Sequence, residues 1–311
     1  MKIADRGEET DAGDKLHWTT EAESALKKVP FFVRKKAKNR IEKYVLDKLE
    51  IKRESVRSDI VYGAVVTIED VNAAKEKFLS NMSKDIRGYQ AERCFGASGC
   101  PNGANSCGSF LERAEKLLEQ ENILYFLKQH VKGDLKYHHE FRLSCADCPN
   151  CCSQPQIKDF GVIGAVLPAI SDEPCSQCQA CVKACPDGCI TMSDNAVSTD
   201  PRCKIPTVDF SSCLMCGKCI DACPTGTICQ GKRGFRVQLA GRLGRHPRLA
   251  LEIDGLLSES EAIEALWNVL QFYKKNSREG ERFAKIFNES DMLEIIPVSV
   301  HLKIIQHPLH G

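Results

Sequence analysis

Two stretches of the sequence share one pattern: CSQCQACVKACP from Cys175 to Pro186 and CLMCGKCIDACP from Cys213 to Pro224. Each is a CxxCxxCxxxCP run, the spacing that wraps a cubane [4Fe–4S] cluster, and in paired runs the fourth Cys ligates the cluster of the other run. On that rule Cys175, Cys178, Cys181 and Cys223 hold one cluster, and Cys213, Cys216, Cys219 and Cys185 hold a second. Paired zinc sites use CxxC pairs rather than triplets, so zinc or plain burial of the thiols explains the repeat poorly.

The 311 residues leave room for about two or three modules. Lys and Arg total 43 against 42 Asp and Glu, so no excess of one sign argues for nucleic acid or an anionic membrane. Eighteen Cys must be accounted for by disulfides or by metal. The chain opens MKIADRGEETDAGDK, without the apolar core of a signal peptide, so a disulfide-sustaining compartment is not indicated and metal is favoured. The apolar stretch FGVIGAVLPAI, from Phe160 to Ile170, is too short to span a bilayer. A soluble, cytoplasmic protein without membrane insertion is expected.

Residues 1–15 are polar and aperiodic and are expected to form a disordered leader. Thr19 or Thr20 is a suitable N-cap for a helix running to Lys28, with Ala22, Ala25 and Leu26 on one face, and Pro30 ends it. A second helix is predicted from Phe31 to Leu49. Its apolar stripe is Phe32, Val33, Ala37, Ile41, Tyr44, Val45 and Leu49, and its basic face is Arg34, Lys35, Lys36, Lys38 and Arg40. That basic face suits either solvent or a docking partner. A third helix is expected from Thr67, with Asp70 nearly completing a capping box and Val71, Ala74 and Phe78 turned inward.

Trp18, Pro30, Arg34, Glu42 and Thr67, within HWTTEAESALKKVPFFVRKKAKNRIEKYV and VTIEDVNAAKEKF, resemble the small C-terminal helical domain of a subunit of light-independent protochlorophyllide reductase. The resemblance implies docking beside a cofactor, not protochlorophyllide chemistry.

Farther along, CFGASGCPNGANSCGSF sets Cys94 and Cys100 in a Gly- and Asn-rich loop, ahead of a predicted helical stretch from Phe110 to His130. LSCADCPNCCSQPQIKDFGVIGA then sets Cys148 and Cys152 in a second loop before a strand-like run. Four thiolates in two such loops supply soft ligands and backbone N–H groups for a third cluster, although the CxxxC element alone is weak and structural or zinc-bound Cys stay open. The pattern, with its KDxGVIG tail, resembles the sirohaem-coupled [4Fe–4S] region of sulfite and nitrite reductases. That resemblance implies that Cys94, Cys100, Cys148 and Cys152 are cluster ligands and that Cys152 would bridge to a sirohaem iron.

The ferredoxin-type segment interrupts this second fold, with short strands expected at Cys189-Ile190-Thr191-Met192 and Thr207-Val208-Asp209-Phe210. The interruption resembles dissimilatory and anaerobic sulfite reductases, in which such a domain feeds electrons to the sirohaem domain. The expected class is α+β: an N-terminal helical domain, then a nitrite/sulfite reductase-like α+β domain interrupted by a ferredoxin-like 2[4Fe–4S] domain. The expected boundaries are 16–80 for the helical domain, 89–170 and 232–290 for the discontinuous domain, 171–231 for the insertion and 291–311 for a tail that would suit an edge strand. After the insertion, Gly241 and Gly244 fall in a turn beyond Phe235, Ser258 and Glu261 have capping-box spacing for a helix to Lys275, and a shorter helix is expected near Glu279 to Phe287.

Six Cys lie outside the three sets: Cys107, Cys145, Cys151, Cys189, Cys203 and Cys229. Cys151, beside the proposed bridge, is expected to be a buried bystander, and the pair His138-His139 a polar loop element. Arg242, Arg245 and Arg248, with Lys158, could pair with a porphyrinoid carboxylate or an oxyanion, or stay on the surface. The domain that carries oxyanion chemistry in the resembled reductases is replaced here by the helical module. Three functions follow. The first is an iron–sulfur subunit relaying electrons through two ferredoxin clusters to the third and on to a redox partner protein, complex subunit or sirohaem-type cofactor. The second is a sirohaem-dependent sulfite or nitrite reductase catalytic subunit, and the third a non-catalytic redox sensor.

Overall fold

The computed structural model describes residues 16–55, 65–194, 204–297 and 299–300. The disordered-leader expectation, Cys203 and the end of the tail lie outside them. The chain divides into two compact units, Met1–Asp85 and Ile86–Gly311.

The first unit contains β1 (His17–Trp18), α1 (Thr20–Lys27), α2 (Phe31–Ser55), β2 (Val65–Val66) and α3 (Ile68–Asp85), with β1 and β2 paired in parallel. Thr19 caps α1 by accepting from the Ala22 N–H, and the chain turns at Pro30. Around Ala22, Ile41, Val45 and Val66 pack Trp18, Leu26, Tyr44, Leu49, Val71 and Ala74. Thr67 and Asp70 form the reciprocal pair expected of them: the Asp70 N–H donates to Thr67 Oγ1, and the Thr67 N–H to Asp70 Oδ2.

Two expectations for this unit fail. Phe32 and Val33 are exposed, with Phe32 at 74%, and Phe78 is 45% exposed beneath the Arg40 guanidinium, 4.8 Å from its ring centroid. Helical period identifies a stripe, but the first turn of α2 projects past the core that would cover it. On the basic face Lys35, Lys36, Lys38 and Arg40 are exposed and Arg34 is half-buried. Arg34 donates to the Val29 and Lys27 carbonyls at the end of α1, and Lys38 sits over Trp18 and beside Glu42.

The second unit is built on a five-stranded sheet. Its elements are β3 (Tyr89–Arg93), α4 (Gly108–Gln120), α5 (Ile123–His130), β4 (Phe141–Ala146), β5 (Phe160–Ile170), α6 (Ala180–Ala184), β6 (Ile190–Asp194), β7 (Lys204–Val208), α7 (Lys218–Ala222), β8 (Ile228–Leu239), β9 (Leu251–Glu252), α8 (Glu259–Asn276), α9 (Phe283–Ile286) and α10 (Met292–Ile295). Sheet order is β3-β4-β5-β8-β9, parallel from β3 to β5 and antiparallel from β5 to β9.

Alternation along the strands sends Phe141, Leu143, Cys145, Phe160, Val162, Phe235, Val237 and Leu239 to one face. There they meet the apolar stripes of α4, α5 and α8. Each large side chain buried in this layer contributes about 1.5–3 kcal/mol relative to exposure. Ser258 and Glu261 form the predicted capping box of α8.

The stretch from Phe110 to His130 is not one helix. It breaks at Asn122, whose φ of +47° is left-handed and whose side chain caps α5. The short helix after α8 is confined to Phe283–Ile286, and the tail before residue 298 is helical at Met292–Ile295 rather than an edge strand. Residues 171–231 lie within this unit: β6 and β7 pair with each other, with Asp209 and Phe210 beyond the strand end, β5 ends at Ile170 just before the segment and β8 begins inside it at Ile228. Among the described residues no helix is long and apolar enough to cross a membrane.

Candidate iron–sulfur sites

Cys94 follows the end of β3 and is tied to β4 by its N–H, which donates to the Cys145 carbonyl at 2.9 Å. It then caps a 3-10 turn, and its sulfur accepts from the Gly96 and Asp147 N–H groups at 3.3 and 3.2 Å. Cys100 lies after Gly99, whose φ of +92° reverses the chain. Cys148 follows β4 and is buried, and Cys152 is exposed with Asn150 Nδ2 donating to its sulfur at 3.0 Å. These four thiols share one neighbourhood. Burial raises the Cys148 pKa, a backbone N–H at Asn150 opposes the rise, and Cys100, Cys152 and Cys94 add to it as like charges.

The loops meet because Asp147 and Gly164 let them. The Asp147 carbonyl accepts from the Ala104 and Asn105 N–H groups at 2.8 and 3.1 Å, and its buried carboxylate accepts from the Cys107 N–H at 3.0 Å. A Cβ at Gly164 would stand 2.1 Å from the Asn105 carbonyl oxygen and 2.8 Å from that of Asp147.

The ferredoxin-type segment repeats one local geometry. Gln177 and Met215 have φ of +58° and +59°, and their N–H groups donate to Cys175 and Cys213 sulfur, both at 3.4 Å. The next residues in phase, Gln179 and Gly217, are also left-handed and open α6 and α7. Cys181 has its pKa raised by burial, with Cys223 and Cys175 adding repulsion, and Cys178 also lies within range of Cys223. Cys219 is pushed up to about 11, by burial first and then by Cys213, Cys216 and Cys185. The fourth cysteine of each run thus stands with the first three of the other. Cys185, Cys213, Cys216 and Cys219 line one small cavity with Pro168 and Gly217. Among the described residues no three His, Cys, Asp or Glu groups could hold a single metal ion. Soft thiols with backbone N–H groups on the sulfurs of Cys94, Cys175, Cys213 and Cys223 are the donor chemistry of an iron–sulfur cluster.

Cys189 falls in none of the ligand spacings, yet its sulfur lies 3.2 Å from that of Cys185 and it lines the same cavity. Burial and the Cys185 hydrogen bond push its pKa up to about 12. The CPDGC spacing was the available signal. Cys151 has a left-handed φ of +53°, and its pKa is pushed up to about 11 by burial, with Arg236 opposing. Cys107 and Cys145 are both buried in the core, where Cys107 Sγ donates to the Ala146 carbonyl at 3.3 Å, and the neighbouring Cys145 thiol, then burial, drives the Cys107 pKa far up.

Two of the three arginines donate to loop carbonyls. Arg242 donates to the His246 and Ala284 carbonyls, and Arg248 to those of Ala240, Ala284 and Phe287. Burial, and then the Arg242 charge, lower the Arg248 pKa. Lys158 is paired with Glu92 at 2.6 Å, and Arg245 is exposed on the turn. Loop carbonyls left without strand partners claimed cations that sequence left free. His138 and His139 pack edge to face with ring centroids 4.2 Å apart, and His139 Nδ1 accepts from the Lys136 N–H in a turn.

With this geometry in hand, the family of nitrite and sulphite reductase 4Fe-4S domains matches residues 99–298, well over half of the chain. The chain belongs to that family. It is therefore an iron–sulfur protein of an oxidoreductase family. Cys94 lies just ahead of the matched span. Residues 18–61 match the proto-chlorophyllide reductase 57 kD subunit family.

The chain is 26% identical over 89 residues to a coenzyme F420-dependent sulfite reductase of Methanocaldococcus jannaschii, covering 28% of this chain and 13% of that one. It is 27% identical over 145 residues to one of the subunits of the anaerobic sulfite reductase of Salmonella typhimurium, covering 41% and 38%. The chain thus spans well under half the length of these relatives. Among solved structures, dissimilatory sulfite reductase I is similar at 17% identity and a TM-score of 0.44, over 76% of this chain and 60% of that one.

Proposed function

We propose that this family member is an electron-carrying iron–sulfur subunit whose three cysteine sets each hold a [4Fe–4S] cluster. Cys175, Cys178, Cys181 and Cys223 form one site, Cys213, Cys216, Cys219 and Cys185 the second, and Cys94, Cys100, Cys148 and Cys152 the third. What supports the reading is that the loop of Cys94 and Cys100 meets the loop of Cys148, and the fourth cysteine of each run packs with the other run, within one compact unit. When bound, such clusters supply one-electron exchange. The chain's own part is to fix the thiolates, to aim the Gly96, Asp147, Gln177 and Met215 N–H groups at sulfur, and to exclude water around Cys148, Cys181 and Cys219.

Sirohaem fits on one side only. Cys152 is exposed, as a bridging ligand would need to be, but Arg242, Arg248 and Lys158 are engaged elsewhere and build no anion wall. A catalytic sulfite or nitrite site on this chain would thus need a partner protein, in keeping with a relative named as one subunit of an anaerobic sulfite reductase. Thiol-rich sites need a reducing compartment, which supports a cytoplasmic location.

Anaerobic reductive titration tests the carrier role: uptake of about three electrons per chain is expected, one for each cluster, and uptake of about two removes the third. Extraction of about one tetrapyrrole per chain, retained without a partner, would favour the catalytic alternative instead.

A further inference from the structure

The two ferredoxin-type sets are related by a repeat, yet they do not occupy equivalent places. Beyond the sheet centre, β5 reaches Val166, which is buried at 4% exposure. Its N–H donates to the Met215 carbonyl at 2.9 Å, and it forms a bridge pairing with Cys216. The approach is close enough that a Cβ on Gly217 would stand 2.6 Å from Val166 Cγ1, and Gly217 has a φ of +76° besides. On its other side Val166 packs with Ala104 and Cys148, and Ile220 of α7 joins the same cluster. One residue therefore pairs with Cys216 of the second set and shares a buried cluster with Cys148 of the third.

The Cys175 set makes different contacts. Cys181 and Cys223 pack with Ile190, Ile228 and Cys219, toward the second set, while Cys178 is exposed. Ile220 borders both clusters of side chains. The sets thus follow one another in the order Cys175, Cys213, Cys94.

We propose that Val166 couples the second set to the third, so that the Cys213 set is the inner of the two ferredoxin-type sites and the Cys175 set is the outer one, facing the electron donor. The inference rests on the three-cluster reading above. Electron exchange across Val166 lowers the oxidation state of one cluster by one electron and raises that of its neighbour by one. No bond is made and no proton moves.

Electron paramagnetic resonance of the full chain, reconstituted and fully reduced, tests the order. Iron is counted first. The parent should hold about twelve, and Cys178→Ala and Cys216→Ala about eight each. A parent count near eight overturns the three-cluster reading and the order with it.

With the counts as expected, Cys178→Ala leaves two neighbouring sets, and its spectrum should be split by magnetic interaction between them. Cys216→Ala leaves the outer and third sets, and its spectrum should be the sum of two isolated signals, with the splitting lost. Two isolated signals in Cys178→Ala, or retained splitting in Cys216→Ala, overturn the order while leaving the cluster count intact. Should Cys216→Ala fail to fold, Cys178→Ala decides alone, since the outer set can be emptied without disturbing Val166.

Discussion

Replacing Gly164 with alanine drives a Cβ between the two loops of the third cysteine set. The new atom would meet the Asn105 carbonyl oxygen at 2.1 Å and the Asp147 carbonyl oxygen at 2.8 Å. Neither is the end of a flexible side chain. Both belong to backbone held by hydrogen bonds, because the Asp147 carbonyl itself accepts from the Ala104 and Asn105 N–H groups. Relief requires β5 to move from the loop or those two bonds to lengthen. Overpacking of this kind costs about 1–3 kcal/mol, and rigid backbone on both sides puts Gly164→Ala near the upper end. At about 2–4 °C per kcal/mol for a unit of this size, the melting temperature should fall by about 6–12 °C.

The displaced loop carries Cys100, so cluster absorbance should bleach below the temperature at which helical signal is lost. Circular dichroism and visible absorbance, recorded on the same anaerobic melt, read both transitions. Gly103→Ala is the control, since its Cβ meets only the Cys100 carbonyl oxygen at 3.7 Å, an ordinary contact. A Gly164→Ala protein that melts within about 1 °C of the parent, with its iron intact, would refute the claim that this close approach holds the third set together.

Further outcomes follow from other sites. Asp147→Asn keeps an acceptor for the Cys107 N–H but removes a buried negative charge beside Cys148, so redox titration should find the third couple at a higher potential with iron content unchanged. Cys189→Ser should leave the iron count of the second site unchanged while shifting its potential, because Cys189 contacts the Cys185 sulfur and completes no set of four; a loss of about four irons would make it a ligand instead.

In the first unit, burial opposes ionisation of Asp70, but hydrogen bonds from Lys48 and Thr67 prevail and hold its pKa below the ordinary carboxylate value. A depressed carboxylate contributes stability that is full above its unfolded pKa of about 4 and is lost as pH falls through the lower folded value. Lys48 is half exposed, so screening limits the pair to about 1 kcal/mol or less. Lys48→Met should remove most of this acid sensitivity, followed by fluorescence of Trp18 in a Trp267→Phe background.

Much of this architecture was written in short-range pattern. The Thr19 cap, the Thr67 and Ser258 capping boxes and the long strand from Phe160 are local chemistry, and local chemistry is legible in a sequence. The misreadings came where a distant segment decides. Phe32 and Phe78 lie in phase with their helical stripes, but burial depends on what stands opposite, and at those positions the core ends. Asn122 breaks a helix that periodicity alone would continue, because its side chain caps the next one. Arg242 and Arg248 looked available for an anion until the loop carbonyls of Ala240, Ala284 and Phe287 turned toward them. Cys189 belongs to no ligand spacing and reaches the second set only through the turn after Cys185.

Iron and acid-labile sulfide counted in the anaerobically reconstituted chain and in Cys148→Ala test the central claim most directly. Three sites predict about twelve irons in the parent and about eight in the variant. A parent holding about eight, unchanged by the substitution, would contradict the third site.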